Sequence, residues 1–536
     1  MYLNFYSCIV LLALTLIGSL NYAQENFRIF PSPVTQTEPV ISINPVNPNI
    51  IAVSAKTINT ATTFTSEGIY VSGNGGLTWN GSDTCKGQSI LNHGGSPQLM
   101  IDRNERLIIT HIGNPQLFAG IYSHYSNDLG FTWTPAYTIS DQQPEDKGSS
   151  AIDNFNSSPY YSKLYTAWVN QSIPANPVSF SYSTNSGESW IAPKLINNNA
   201  AERSSGGFVK ISKDGKVYIS WAYISGVAPF IEDSVGLAFS SDGGDNWSVN
   251  QSIFNVNGIF GTLHSKNGIR VNGLPQLAID NSNGPRSGWL YIVTTEINHS
   301  PAGSDPDIIL HYSSDGGNSW SAGIRVNQDP LNDGKIQYFP AIDVDSSGGI
   351  NILFYDDRNT SSDSAEVWLA RSTDGGSSWK EQVVSDHRFQ PKPISGGSSN
   401  YQGDHIALTS SGNKLYALWM DDFSGIYQIW IKILSLNILS ANDSNKYPSD
   451  FELLQNYPNP FNPETNITFT IPQRSFTSLK IYDLLGREKA VLINNELDYG
   501  THTIKFIPDK SLPGGVYFYR LQNGKYSASK KLILIK

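Results

Sequence analysis

The run Phe208-Val-Lys-Ile-Ser-Lys-Asp-Gly-Lys-Val-Tyr-Ile-Ser-Trp221 alternates apolar and polar residues on both sides of an Asp-Gly pair. Ala341-Ile-Asp-Val-Asp-Ser-Ser-Gly-Gly-Ile-Asn-Ile-Leu-Phe354 does the same around Gly-Gly. A period of two puts one set of side chains on each face of a strand, and a glycine-bearing break between two such runs predicts a hairpin. The same unit begins near Val40, Gln98, Ser150, Phe208, Gln276, Ala341 and His405. A second pair of apolar runs follows each of the first six, such as Ile308-Ile-Leu-His-Tyr312 and then Ile324-Arg-Val326. Seven units of four strands are therefore predicted, with the seventh, His405 to Leu434, one strand short. Phe27-Arg-Ile-Phe30 is a strand without a partner of its own, and pairing it with the seventh unit would close a ring and remove an exposed edge.

Between the two runs of the second pair lies a box of eight residues, Ser-x-Asp/Asn-x-Gly-x-x-Trp, starting at Ser72, Ser126, Ser183, Ser240, Ser313 and Ser372. Successive starts are 54, 57, 57, 73 and 59 residues apart, and a period of this length signals a repeat architecture. Asn74, Asp128, Asn185, Asp242, Asp315 and Asp374 can each accept backbone N–H bonds and start a turn. The glycine two residues later can take a positive φ. Trp79, Trp133, Trp190, Trp247, Trp320 and Trp379 are large plates able to wedge between neighbouring units. The boxes resemble the Asp-boxes, or bacterial neuraminidase repeats, of the sialidase superfamily. The resemblance covers about residues 27–434 and implies an all-β, seven-bladed (alternatively six-bladed) β-propeller. It also implies that the boxes are structural and lie on the face opposite any active site.

The first residues, 1–23, read as a signal peptide: Cys8 to Leu20 is apolar and too short to span a membrane as a helix. No later stretch is long enough to cross one as a helix. Removing the leader leaves Cys85 alone, so no intrachain disulfide and no cysteine-based metal site is expected. A formal net charge of −10 without a basic run argues against nucleic acid as a partner.

The texture changes after residue 436. Residues 437–450 are polar and read as a linker, and 451–536 carry strand signals enough for a small C-terminal β-sandwich, leaving 24–436 to the propeller. Asn456-Tyr-Pro-Asn-Pro-Phe-Asn-Pro463, the Leu479 to Gly486 segment, Gly514-Gly-Val-Tyr517 and the Lys530-Lys531 ending resemble the type A C-terminal sorting domain of type IX secretion cargo. That resemblance implies the type IX machinery as a partner and a secreted or cell-surface protein.

Candidate chemistry falls on the end of the units opposite the boxes. Tyr355-Asp356-Asp357-Arg358 and Trp419-Met-Asp421-Asp422 stand at equivalent points of neighbouring units, where carboxylates could bind a ligand or simply cap turns. Tyr355, Tyr401 and Trp419 could stack on sugar rings. The sialidase resemblance implies an arginine triad, a Tyr–Glu nucleophile pair and an acid/base. Arg28 fits the Phe/Tyr-Arg-Ile-Pro motif with its proline displaced to Pro31; Tyr401 and Glu296 fit the pair by position alone. His111 or Asp102 fits the acid/base, and Arg203, Arg358 and Arg388 are arginines without motif support. Two readings stay open: a sialidase-like propeller that recognises extracellular glycan or protein without strong catalysis, and an exo-sialidase-type glycoside hydrolase. An Asp-rich face would favour a neutral glycan over an acidic one. No cofactor is implied and metal binding is unassigned.

Overall fold

The computed structural model describes residues 25–59, 61–62, 64–85, 94–113, 120–142, 145–198, 202–395, 399–437, 451–471, 475–497, 500–509, 511–524 and 526–535. The leader at 1–23 and nearly all of the 437–450 linker lie outside them. The chain divides into two compact units, residues 1–439 and 440–536.

The first unit is built from four-stranded antiparallel sheets, spanning residues 35–82, 95–140, 145–195, 203–255, 276–325, 337–383 and 407–435, the last completed by Phe27–Arg28. Phe27 pairs with Ile431 and Arg28 with Trp430, so the N-terminal strand is the outermost of the seventh sheet. The innermost strand of each sheet contacts that of the next, and the innermost strand of the first sheet contacts that of the seventh, which closes the cycle.

Each box is the turn between the third and fourth strands of its sheet. In the first, Gly76 N–H donates to Ser72 Oγ and Thr78 N–H to Asn74 Oδ1, each at 2.9 Å. The tryptophan ring N–H then donates to the box glycine carbonyl, at 3.0 Å for Trp79, and this bond recurs in every box except that of Trp379. Hydrogen bonds of this kind hold the Asp315 and Asp374 carboxyls down at about 2, against burial in the case of Asp374. The box glycines have φ between +88° and +96°. A Cβ there would also collide with the preceding sheet: with Ile433 at Gly76, Phe180 at Gly244 and Leu237 at Gly317. Only glycine meets both demands. The tryptophans fill the same seams, Trp133 among Ile69 and Leu107, and Trp247 edge-on to Phe180 at 4.8 Å.

Two features were not expected from the sequence. The innermost strands begin before the alternation becomes readable, because a bulge interrupts pairing at Thr37/Val40, Gly95/Gln98, Asp146/Ser149, Ser205/Phe208 and Tyr338/Ala341. Glu38, Ser96, Gly206 and Phe339 sit in these bulges with φ between +51° and +72°. The second is an extra hairpin, Gly261–Leu263 with Ile269–Val271, between the fourth and fifth sheets.

That hairpin is a strap. Glu232 pins both its ends, accepting from Phe260 N–H at 2.9 Å and Gly273 N–H at 2.7 Å. Its tip reaches the sixth sheet, where Lys266 donates to Asp357 at 2.5 Å and to the Ser362 and Ser364 carbonyls at 2.6 and 2.8 Å. Ile259, Ile269 and Val271 join Tyr338, Phe339, Tyr355 and Tyr401 in one apolar cluster beneath it.

The second unit has a three-stranded and a four-stranded sheet around its own core of Phe461, Phe469, Leu479, Ile481, Tyr519 and Leu532. Its longest strand, Glu488–Leu497, carries too little alternation to read in advance: residues 494–496 are all exposed.

Candidate functional site

The box turns and the turns between first and second strands share one end of every sheet. The other end carries the bulges, the strap and the connections between sheets, and here the innermost strands surround a cavity of about 210 Å³. Glu38, Gln98, Ser149, Lys210, Gln276 and Asp404 are among its lining. Lys210 keeps exposed surface inside this channel, yet protein surrounds it and the resulting loss of hydration lowers its pKa.

Behind Glu38 and Asp404 of the lining stands Tyr401, 2% exposed and part of the apolar cluster. Its hydroxyl lies 3.1 Å from Thr37 Oγ1 and also meets the Glu38 carboxylate. Lys56 Nζ is 4.5 Å and the Arg270 guanidinium 5.1 Å from its ring centroid. Burial first, and the Glu38 charge second, push the phenol well above its ordinary range, so it is a neutral donor. Arg270 grips Asp404 with two bonds, 3.1 Å from Nε and 2.6 Å from Nη2. Burial opposes the Arg270 charge but Asp404 outweighs it, raising the pKa. Beside the mouth is a second pocket of about 130 Å³, lined by Arg203, Arg270, Asp146, Gln171 and Phe260 among others. The strap thus supplies Arg270 and Phe260, residues that sequence reasoning missed.

The residues expected from the sequence are distributed differently. Arg28 is on an outermost strand, with two strands between it and the innermost one. Glu296 is 1% exposed and bonded to Thr294, His299 and His311; the carboxylate beside Tyr401 is Glu38 instead. His111 stacks on His124 with their Nε2 atoms 3.1 Å apart, and Asp102 caps a turn at the box end.

The expected recognition cluster is closed. Asp356 is fully buried, 2.7 Å from Arg358 Nε, and Arg358 also grips Glu381 at 2.7 and 2.9 Å. Asp357 is held by Lys266 and by Ile336 N–H. Trp419 is fully buried and donates to Asp421, which also meets His387; Asp422 is ion-paired with Lys392. Tyr355 is 1% exposed. Each of these buried carboxylates is already bonded to a side chain of the protein, so they do not form the Asp-rich open face expected from the sequence, and the three aromatics are core rather than stacking platforms. The strap accounts for Asp357, through Lys266; the others are held by Arg358, by Trp419 and His387, and by Lys392. Among the described residues no cluster of His, Cys, Asp and Glu suits a metal ion. Cys85 is buried with its thiol on the Glu67 carbonyl.

Burial pushes three carboxyls up: Glu67 to about 7, Asp356 to about 7 despite Arg358, and Asp343 to about 6. A raised folded-state pKa gives stability that is complete below the unfolded value near 4 and is lost as pH rises through 6 to 7. The melting temperature should therefore fall, by about 3 °C or more, between pH 5 and pH 8. A melting curve that is flat or rises over that interval would show these groups to be ionised at no cost.

Residues 455–536 match the family described as a secretion system C-terminal sorting domain. The chain carries this sorting domain. It marks the protein for type IX secretion, to the outer surface or the cell exterior, and no described helix is long and apolar enough to cross a membrane. No curated protein sequence matches the chain. Among solved structures it is similar to a protein of unknown function from Dyadobacter fermentans, at 10% identity and a TM-score of 0.44, covering 77% of this chain and 98% of that one. It is also similar to a polysaccharide lyase of family PL25, an ulvan lyase, at 11% identity and 0.49, covering 77% and 96%. A third is the intramolecular trans-sialidase of Ruminococcus gnavus, at 13% identity and 0.36, covering 76% and 97%.

Proposed function

We propose that residues 24–436 form a seven-bladed Asp-box β-propeller which, once exported, recognises an extracellular glycan bearing an acidic group, through the end of the ring opposite the boxes. On this reading residues 1–23 are a removed leader, 437–450 a linker and 451–536 the sorting domain. The observation that carries the reading is the pocket shared by Arg203 and Arg270 beside the channel mouth. Guanidinium groups bind carboxylate and sulfate by two-pronged, charge-assisted bonds. The pocket also holds one carboxylate, Asp146, which accepts from Gln171 Nε2 at 3.1 Å, and on this reading the two guanidiniums reverse the preference for neutral glycans expected from the sequence.

Titration of the full chain with free N-acetylneuraminate, D-glucuronate and glucose tests this. The two acids should bind and glucose should not, and Arg203→Ala or Arg270→Ala should weaken them about tenfold or more. Equal binding of glucose, or indifference to both arginines, would refute the reading, and binding of a protein instead of any sugar would replace it.

A second reading, exo-sialidase, is favoured by one observation: Tyr401 bonded to a carboxylate, Glu38, beside two cations. Arg28 stands apart from this group, so the three-arginine clamp of the sialidase pattern is incomplete. Little or no release of sialic acid from a fluorogenic α-ketoside is expected; robust turnover lost in Tyr401→Phe would establish hydrolysis.

A further inference from the structure

Glu38 is 4% exposed, lines the channel cavity, and has one carboxylate oxygen, Oε2, with no hydrogen-bond partner. A buried carboxylate oxygen without a donor is costly, and folds keep such groups where something else needs them. Its φ of +54° belongs to the bulge itself, since Ser96 and Phe339 at the equivalent places take +51° and +53°. The equivalent bulges of other sheets hold Ser96, Gly206 and Phe339, so the fold does not require an acid there. Three features thus coincide at one residue: burial, an unused acceptor and a place on a cavity wall.

The surrounding charges define what fits. Lys56 and Arg270 lie close on one side, and Arg270 is already matched by Asp404. Tyr401 is a neutral donor whose hydroxyl is used on Thr37 and Glu38. A cationic ligand group would meet Lys56 and Arg270; an anionic one would meet Glu38 and Asp404. A neutral donor, a hydroxyl, meets neither objection.

We propose that Glu38 is the specificity-determining acceptor for a hydroxyl of the bound sugar, so that the site reads a hydroxyl at the channel mouth and an acidic group at Arg203 and Arg270. This rests on the glycan reading above and narrows its ligand to hydroxylated acidic sugars. A site that hydrogen-bonds a hydroxyl discriminates against ligands lacking one, because its own buried group is then left unpaired.

The test uses the full chain with three probes: D-glucuronate, N-acetylneuraminate and inorganic sulfate, which is anionic but carries no hydroxyl donor at neutral pH. Glu38→Gln and Glu38→Leu should weaken the two sugar acids about tenfold or more and leave sulfate affinity within about twofold. Both variants should melt at or above the wild-type temperature, since the unpaired charge is gone. A fall in melting temperature of more than about 5 °C in both, or an equal loss of sulfate and sugar binding, would show Glu38 to be structural and overturn the proposal. Unchanged sugar affinity in both variants, with loss on Arg203→Ala, would overturn it while leaving the glycan reading intact. Failure of the wild-type chain to bind either sugar acid would overturn both.

Discussion

A chain cut before Gln455 should fold its first unit normally and fail to leave the cell. The two units have separate cores, with no residue shared between the cluster around Phe469 and those of the first unit. The truncated protein should therefore show the same cooperative melting of the first unit as the full chain. Export depends on the part removed, because residues 455–536 are the matched sorting domain. Fractionation of the native host should find the full chain at the surface or in the medium and the truncated one inside the envelope, with external protein reduced to background. Surface display of the truncated chain at wild-type level would mean that export is directed from elsewhere in the sequence.

Replacing Lys266 by alanine should cost the first unit about 3–5 kcal/mol. The Lys266 ammonium is fully buried and all three of its donors are used, on Asp357 and the carbonyls of Ser362 and Ser364. Its pKa is lowered, chiefly by desolvation and against the pull of Asp357, which is the mark of a charge taken out of water at a cost. Removing the cation leaves the Asp357 carboxylate buried with one backbone donor, Ile336 N–H. The pair of changes Lys266→Met and Asp357→Leu should recover much of the loss, since an apolar replacement of both partners removes the desolvation cost too. Urea unfolding of the wild type and the two variants checks this. A single variant within about 0.5 kcal/mol of wild type would show the strap tip to be held by its apolar contacts alone.

The strap also explains where the sequence stopped being readable. Strand pairs, box turns and the orphan Phe27 strand were legible because each rests on local chemistry: alternation, an Asp or Asn acceptor, a glycine at positive φ. The cluster of Asp356, Asp357, Arg358, Trp419, Asp421 and Asp422 was legible only in its local part, the turn-capping by Asp356 and Asp421, because other partners come from far away, Lys266 being 91 residues from Asp357 and His387 34 residues from Asp421. One signal was present. The 73-residue interval between the fourth and fifth boxes, against 54 to 59 elsewhere, holds the strap, and an insertion at that point must cross the end of the ring opposite the boxes. Arg270 lies within that insertion, and no motif could have connected it with Arg203. Glu38 was visible as one of the charged residues at the end of the units opposite the boxes. Its bulge was not, because a bulge breaks the alternation that would have marked the strand.

The pairing of Phe27 with Ile431 has a consequence for biogenesis. These partners are separated by about 400 residues, so the final contacts of the cycle are among the least local that the chain makes. They cannot form on a growing polypeptide until nearly all of the first unit has been delivered. Any product ending early, by a stalled ribosome or a proteolytic nick, keeps a bare strand at each end of an unfinished ring. Bare strands recruit other chains or proteases, so the N-terminal strand works as a completeness check: only a chain that arrives whole can fasten it.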